Sequence, residues 1–389
     1  MTFDYESMRL IWWALLGVLL IGFAITDGYD MGVGILLPFL GKNDTERRII
    51  IDSIGTTWEG HQVWFITAGG ALFAAWPAAY AVAFSGFYFA LLLTLFALFM
   101  RPIGFDYRNK LPSQKWRNNW DIALFIGGFV PALIFGVAFG NLLQGVPFHL
   151  DNDMRIFYTG SFWALLNPFA LASGLISLSM LIMHGAVYLQ LKTEGNINRR
   201  CKKVVTVSTV IALAIFAAAG IWVSNIDGYQ ITSEVFPNAQ SNPLTKIVQK
   251  APGLWLDNYE SYPVLWTIPA LAFVAGAVTI LLSKIERPGL AFITSSLAVT
   301  SIILTAGVAM FPFLLPSSSA SNSSLTVWDA SSSLSTLKIM FWAAVIFLPI
   351  IGAYTTWVFR VLRGKITAEQ IHEVDITPEQ NHQTDRTAI

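Results

Sequence analysis

Polar residues recur at helical spacing within an apolar stretch near the start of the chain. Asp52, Thr56, Glu59 and Gln62 are separated by steps of four, three and three residues. This spacing puts them on one face of a helix. Ionisable side chains are costly inside a membrane helix, so each one is a candidate for function. The stripe could pass protons between neighbouring carriers. It could equally be a hydrogen-bonded packing face, and the spacing alone leaves both readings open.

Further carboxylates are expected near the same end of the predicted helices. Asp27 and Asp30 end the first apolar run, Asp106 follows the third, and Asp121 begins the fourth. Arg101 closes the third run and could pair with one of these carboxylates. Each charge taken alone could be an ordinary interfacial residue. Their convergence at one end of the predicted helices favours a shared role.

Two histidines and a tryptophan are the candidates for contact with a cofactor. Haem iron is usually held by His or Met. Only His61 and His184 lie in or near apolar runs, and no paired-histidine spacing on one helix supports haem ligation. Hydrogen-bonded packing is the alternative. Trp58 could contact a quinone or a cofactor edge, or it could pack within the protein. The single cysteine, Cys201, excludes an intrachain disulfide and any cysteine-based metal cluster, and no metal site is predicted.

The composition indicates a membrane protein that must position these residues on helices. Hydrophobic residues make up 54% of the 389, and only 12% are charged, which is about half the charged fraction of a soluble domain. The formal net charge of zero gives no reason to expect nucleic acid as a partner. We predict an all-α polytopic protein. Its nine transmembrane helices lie at about 10–28, 52–75, 79–101, 121–143, 164–187, 204–224, 263–283, 289–311 and 337–359.

The distribution of basic residues predicts the orientation of these spans. With the N-terminus outside, nineteen lysines and arginines fall in cytoplasmic segments and four in external ones. This asymmetry favours a periplasmic N-terminus and a cytoplasmic C-terminus. It also supports the second span, although Asp52, Glu59 and His61 interrupt its apolar sequence. The transmembrane domain is predicted over 1–365, followed by a polar cytoplasmic tail over 366–389.

Long sequence blocks of this chain match the pattern of a known family. The blocks include GFAITDGYDMGVG at 22–34, NDTERR at 43–48, AGGALFAAWP at 68–77, RPIGFDYR at 101–108, AFGNLLQGVPF at 138–148 and SLTVWD at 324–329. Together they resemble subunit II of cytochrome bd ubiquinol oxidase over nearly the whole chain. The resemblance implies two helical bundles plus a peripheral helix. It also places the protein in the bacterial inner membrane.

The resemblance further implies a haem-free subunit of a heterodimer. The partner, subunit I, would carry haem b and haem d, and the complex would oxidise ubiquinol and reduce oxygen to water. Small single-span accessory subunits and a bound ubiquinone are further possibilities. Glu59 falls where the family has an acidic residue, often Asp, on a proton path between the subunits. Asp30, Arg101, Asp106 and Asp121 align with charged positions of the family's motifs.

These readings combine into one set of expected sites and two alternatives. The proton path is expected to contain Glu59, Asp52, Thr56, Gln62, Asp30 and Asp106. Charge pairing is expected of Arg101, Asp121 and Asp27. No catalytic residue and no axial haem ligand are expected in this chain. The alternatives are a proton-coupled transporter acting alone and a purely structural subunit.

Overall fold

The computed structural model describes residues 3–367 and 369. Thirteen α-helices and six short β-strands occur in this part of the chain. The helices are α1 (Tyr5–Ile25), α2 (Asp27–Leu40), α3 (Asp44–Gly55), α4 (Trp58–Ala75), α5 (Pro77–Gly86), α6 (Tyr88–Tyr107), α7 (Gln114–Gln144), α8 (Pro168–Lys192), α9 (Gly195–Val223), α10 (Asp257–Ser261), α11 (Thr267–Lys284), α12 (Pro288–Met310) and α13 (Leu334–Val361). The strands are β1 (Phe148–Leu150), β2 (Ile156–Tyr158), β3 (Asp227–Ile231), β4 (Val248–Pro252), β5 (Phe313–Leu315) and β6 (Leu325–Thr326).

Local signals account for the ends of the long helices. The side chain of Asn167 accepts a hydrogen bond from the backbone N–H of Ala170, and Pro168 occupies the first turn of α8. The last turn of α8 contains Lys192, whose charge complements the helix dipole. At the end of α7 the backbone turns at Gly145, whose φ of +84° is a conformation that favours glycine.

Eight helical runs in the described residues are long and apolar enough to cross a membrane. They are α1 with α2, α6, α7, α8, α9, α11 with the turn before it, α12 and α13. The predicted all-α polytopic class is therefore confirmed. Helix α4 is not among the eight, because Glu59, His61 and Gln62 give its first turns a polar sequence. The count of nine spans stays a prediction.

The expectation of one continuous helix over 52–75 is wrong. Helix α3 ends at Gly55, and α4 begins at Trp58. Thr57 donates its backbone N–H to the carbonyl of Ile54 at 3.1 Å, which closes a tighter turn than an α-helix. Gly55 and the two β-branched threonines that follow it are poor helix formers, so the helix breaks here. The four residues of the predicted stripe consequently do not share one helix face.

Two other predicted boundaries also differ from the structure. The first span continues beyond residue 28 as α2, so that Asp27 and Asp30 lie inside a helical run that ends at Leu40. The third span is divided at Phe87 into α5 and α6. The predicted tail, apart from residues 366, 367 and 369, lies outside the described residues, and the backbone N–H of Ile366 donates to the carbonyl of Lys192.

Helix α8 is at the centre of the fold and packs against α2, α7, α9 and α12. Its contact with α2 is close enough that Gly32 and Gly185 face each other backbone to backbone. Helix α13 lies at the periphery. It packs against α1 and α4, and Leu337 is its one buried residue.

Three two-stranded sheets and the connecting segments cover one end of the bundle. The strands pair as antiparallel hairpins, β1 with β2, β3 with β4 and β5 with β6. Arg9 of α1 is fully buried among these segments. It donates to Ser331 Oγ at 2.8 Å and to the carbonyl of Ala239 at 3.1 Å. Lys246 and Asp329 form a salt bridge of 3.0 Å in the same layer. The contacts of Arg9 attach the connecting segments to the first helix, and the salt bridge joins two of these segments to each other.

Replacing Gly32 by Ala should destabilise the protein. A Cβ at this position would meet the carbonyl oxygen of Leu181 and crowd Gly185 Cα. Such overpacking costs about 1–3 kcal/mol. The measurement is the thermal unfolding midpoint of the protein purified in mild detergent. Gly220→Ala is the matched control, since a Cβ there has nothing within 4 Å. Equal midpoints for the two variants would contradict the packing argument.

Candidate functional site

A buried ion-pair cluster joins α2 to α6. Arg101 donates from Nη1 and Nη2 to the two carboxylate oxygens of Asp27, at 2.9 and 2.8 Å. Its Nη2 also lies 3.8 Å from Oδ2 of Asp30. All three side chains are at most 2% exposed. The two-point geometry satisfies a buried guanidinium and fixes its orientation.

The local sequence explains why these groups meet. Asp27 and Asp30 are three residues apart on α2, so both project from the same face of that helix. Gly127 of α7 provides the space for the arginine, because a Cβ there would lie 2.8 Å from Arg101 Cγ. A larger residue at this point of α7 would displace the arginine side chain.

His61 extends the cluster to α4. Its Nδ1 lies 2.6 Å from Oδ2 of Asp30, and its Nε2 lies 3.3 Å from the hydroxyl of Tyr29. Tyr29 stacks on Tyr188 with ring centroids 3.9 Å apart. Oδ1 of Asp30 is buried and has no hydrogen-bond partner among the described residues. Groups that can hold a proton are therefore in hydrogen-bond contact from Asp30 through His61 to Tyr29.

The charges of this cluster require a proton to balance. One arginine and two carboxylates leave a net charge of −1 when His61 is neutral. Burying an unbalanced charge costs several kcal/mol. One proton, on His61 or on Asp30, makes the cluster neutral. The Asp30–His61 pair is therefore suited to hold one proton that either member can carry.

A second charge cluster connects α3, α6 and α7. Arg108 is fully buried and donates from Nε to Asp121 Oδ1 at 2.6 Å and from Nη2 to Asp44 Oδ1 at 2.9 Å. Arg47 and Arg117 also pair with these two carboxylates, at 2.8 and 2.6 Å. The cluster attaches the short helix α3 to the ends of the longer helices.

Sequence reasoning missed Arg108 because its charge placed it in a connecting segment. The spacing of residues in and after α6 could have predicted that Arg108 is buried. Arg101, Gly104 and Arg108 are separated by three and four residues, which puts them on one face of α6. All three are buried. Tyr29 and Tyr188 were also missed, although Tyr29 lies between Asp27 and Asp30.

The structure places most of the predicted path residues on the surface of this chain. Asp52, Thr56, Glu59 and Asp106 are exposed, and Gln62 is half-buried. Glu59 lies in the first turn of α4, two residues before the buried His61. A carboxylate facing lipid would be costly, so such residues are expected to face a partner or water. Of the six predicted path residues, only Asp30 is within the buried cluster.

Comparison with known proteins identifies the family. The model of the family described as cytochrome bd terminal oxidase subunit II matches residues 8–362. The chain is 56% identical to the cytochrome bd-I ubiquinol oxidase subunit 2 of Escherichia coli strain K12, over 95% of this chain and 97% of that one. It is 30% identical to the cytochrome bd ubiquinol oxidase subunit 2 of Bacillus subtilis strain 168, over 94% and 98%. The chain belongs to the cytochrome bd terminal oxidase subunit II family.

Structural comparison agrees with this subunit II fold. A chain of the bd oxidase structure from Geobacillus thermodenitrificans superimposes with a TM-score of 0.69. The match covers 91% of this chain and 98% of that one, at 14% sequence identity. At this identity the likeness shows the fold alone.

Neither His61 nor His184 of this subunit II fits a haem iron. Both ring nitrogens of His61 are engaged, by Asp30 and Tyr29. His184 lies 2.8 Å from Ser295 Oγ through Nδ1 and 2.9 Å from the carbonyl of Ile25 through Nε2. No group of three or more His, Cys, Asp or Glu suited to a metal occurs in the described part of the chain. Membership of the family implies haems in the partner subunit.

Trp58 packs within subunit II. The centroid of its ring lies 5.4 Å from the ring centroid of Phe105. The guanidinium carbon of Arg101 lies 5.8 Å from the centroid of the Trp58 ring. The latter distance is within the range of a cation–π interaction. The indole therefore borders the buried cluster, and its contact with a quinone or cofactor edge stays a prediction.

Replacing Asp27 by Asn should destabilise subunit II strongly. The change leaves Arg101 without its bidentate partner in a buried site, at a cost of about 3–5 kcal/mol. We expect a lower thermal midpoint and a lower yield of assembled complex. The double variant Asp27→Asn with Arg101→Gln removes both charges and should recover part of the loss. A double variant no more stable than Asp27→Asn would contradict an ion-pair origin.

Proposed function

We propose that this subunit II acts with a haem-bearing subunit I in the bacterial inner membrane. The complex oxidises ubiquinol, as the names of the relatives indicate for them, and passes the electrons to oxygen, which is reduced to water. Subunit II stabilises the partner and provides part of the proton route from the cytoplasm. The observation that supports this role is the exposed Glu59 beside the buried Asp30–His61 pair.

The proposed route begins at the surface of subunit II. Glu59, Asp52, Thr56 and Asp106 are exposed on this chain, and subunit I would cover them. The break between α3 and α4 brings polar side chains and two threonines to this surface. Glu59 lies at the N-terminus of α4, where the helix dipole stabilises a carboxylate. These groups accept and release protons, and water between them completes the path.

Within subunit II, the Asp30–His61 pair is the proposed proton reservoir. It needs one proton for charge balance, and Oδ1 of Asp30 is available to accept it. Gln62 follows His61 in α4, and its Nε2 is also buried without a partner among the described residues. The Oδ1 atom of Asp30 and the Nε2 atom of Gln62 would orient water between the exposed Glu59 and the buried pair. The haems of subunit I supply the oxygen chemistry, and subunit II supplies protons and support.

A purely structural role is the second candidate, favoured by the Arg101–Asp27 pair. Both side chains are committed to each other and are buried. In that case acid-to-amide changes would alter assembly without changing turnover per haem. Membership of an oxidase subunit family disfavours the third reading, a proton-coupled transporter acting alone.

Replacing Glu59 by Gln should lower oxidase turnover per haem by roughly tenfold or more, because a positioned proton carrier is lost. Glu59→Asp keeps the carboxyl and should retain most of the turnover. The measurement is ubiquinol-dependent oxygen consumption of the purified complex, normalised to its haem content. Glu260→Gln, an exposed acid in α10, is the matched control. Full turnover of a fully haem-loaded Glu59→Gln complex would refute the relay and leave the structural role.

We further infer nine spans, with α4 as the second, a periplasmic N-terminus and a cytoplasmic C-terminus. Partner contact makes the polar start of α4 tolerable at membrane depth. Peripheral packing of α13 supports two bundles plus a peripheral helix. The apolar surface that α13 exposes would be covered by lipid, a bound ubiquinone or a small accessory subunit.

Cysteine labelling should test this orientation. Cys201 is buried, so the background reaction is expected to be low. A cysteine replacing the exposed Glu234 should react with a membrane-impermeant maleimide in intact spheroplasts. A cysteine replacing the exposed Lys115 should react only after lysis. The opposite pattern would invert the topology. Labelling of both residues in intact spheroplasts would overturn the span count.

A further inference from the structure

A polar cavity of about 360 Å³ lies at one end of the bundle, separate from the buried cluster. The end of α8, the start of α9, the end of α11 and the start of α12 surround it. Lys365, which follows α13, completes its wall. Neither the proposed oxidase function nor the proposed proton route involves this cavity.

Gln190 presents an unsatisfied donor at this cavity. The residue lines the wall and is 2% exposed. Its Oε1 accepts a hydrogen bond from Ser283 Oγ at 2.8 Å. Its Nε2 is buried and has no hydrogen-bond partner among the described residues. Buried amide nitrogens are normally paired, so an acceptor is expected here.

Two helix N-termini converge on the same space. Helix α9 begins at Gly195 and α12 at Pro288, and both residues line the cavity. Neither helix has a side-chain cap at its N-terminus. The side-chain amide of Asn198 is committed to the carbonyls of Gln190 and Thr193, so it does not fill that role. Uncapped helix N-termini attract anions through their free N–H groups and their dipoles.

The charged side chains of the wall have a net positive balance. Arg199, Lys202 and Lys365 are the basic members, and Glu194 and Glu286 are the acidic ones. The acids pair with the two lysines, at 2.9 Å for Glu194 and 2.6 Å for Glu286, and their side chains are 61% and 76% exposed. Arg199 is exposed and makes no salt bridge to any residue that the structure describes. A guanidinium is therefore available beside the unsatisfied amide.

We propose that this cavity binds a phosphate group, either as inorganic phosphate or as the headgroup of an anionic phospholipid. A phosphate presents several oxygens, which match donors that approach from different elements. The guanidinium of Arg199, the amide of Gln190 and the N-terminus of α9 are such donors. Pro288 has no backbone N–H, so α12 contributes the positive end of its helix dipole. The ligand is anchored between α8–α9 and α11–α12, and it steadies the connections at this end of the bundle.

Binding is tested on the purified, delipidated oxidase complex by titration with sodium phosphate in a calorimeter, against sodium chloride at equal ionic strength. Arg199→Gln should weaken phosphate binding by about tenfold or more. Gln190→Glu, which keeps the acceptor for Ser283 and removes the donor, should do the same. Arg155→Gln is the matched control, since Arg155 is an exposed arginine on the β1–β2 hairpin. Haem content is measured for each variant to show that it has assembled.

Native mass spectrometry of the complex as purified distinguishes the two sources. A phospholipid adduct that Arg199→Gln loses and Arg155→Gln keeps would identify a headgroup. Phosphate binding without such an adduct would identify the free ion. The proposal is overturned if the wild-type complex shows neither, or if Arg155→Gln changes binding as much as Arg199→Gln.

Discussion

A fully buried guanidinium determines much of this structure. Arg101 is removed from water, and an unpaired charge in such a place costs several kcal/mol. The two oxygens of Asp27 satisfy it in a planar, two-point contact. This requirement fixes the relative position of α2 and α6 and demands a glycine where α7 passes the arginine. The carboxylates that meet the arginine lie in the first turn of α2.

Because Asp27 neutralises Arg101, Asp30 is the extra carboxylate of the cluster. Its partner His61 can add a positive charge when it is protonated. The net charge of this pair is −1 when His61 is neutral and zero when the pair holds one proton. The hydroxyl of Tyr29 is in hydrogen-bond contact with Nε2 of His61 and thus holds the ring in place. The contacts that stabilise the cluster therefore also orient its proton-binding atoms.

Sequence patterns predicted the class of this fold and the regions that matter, but not which side chains are buried. Apolar length alone predicted the α8, α9 and α12 regions, because lipid requires about 20 apolar residues per span. The convergence of Asp27, Asp30 and Arg101 at one end of the predicted helices indicated where the buried cluster lies. The break at Thr56 and Thr57 could not be seen in the same way, since a hydropathy window averages over it. Arg108 shows the converse problem, because its charge suggested an exposed segment while tertiary pairing buries it.

In the proposed complex, the exposed acids would connect assembly with proton transfer. Glu59 and Asp106 lie on the surface of this chain, close along the sequence to residues that are deeply buried. Lipid would disfavour them, so a polar partner surface that covered them would contribute to specific association. The same coverage would enclose water between the two chains and create a path that neither chain has alone. An interface of this kind makes stability and transfer depend on the same carboxylates. Turnover per haem is the quantity that separates the two effects, because it counts only the complexes that have assembled.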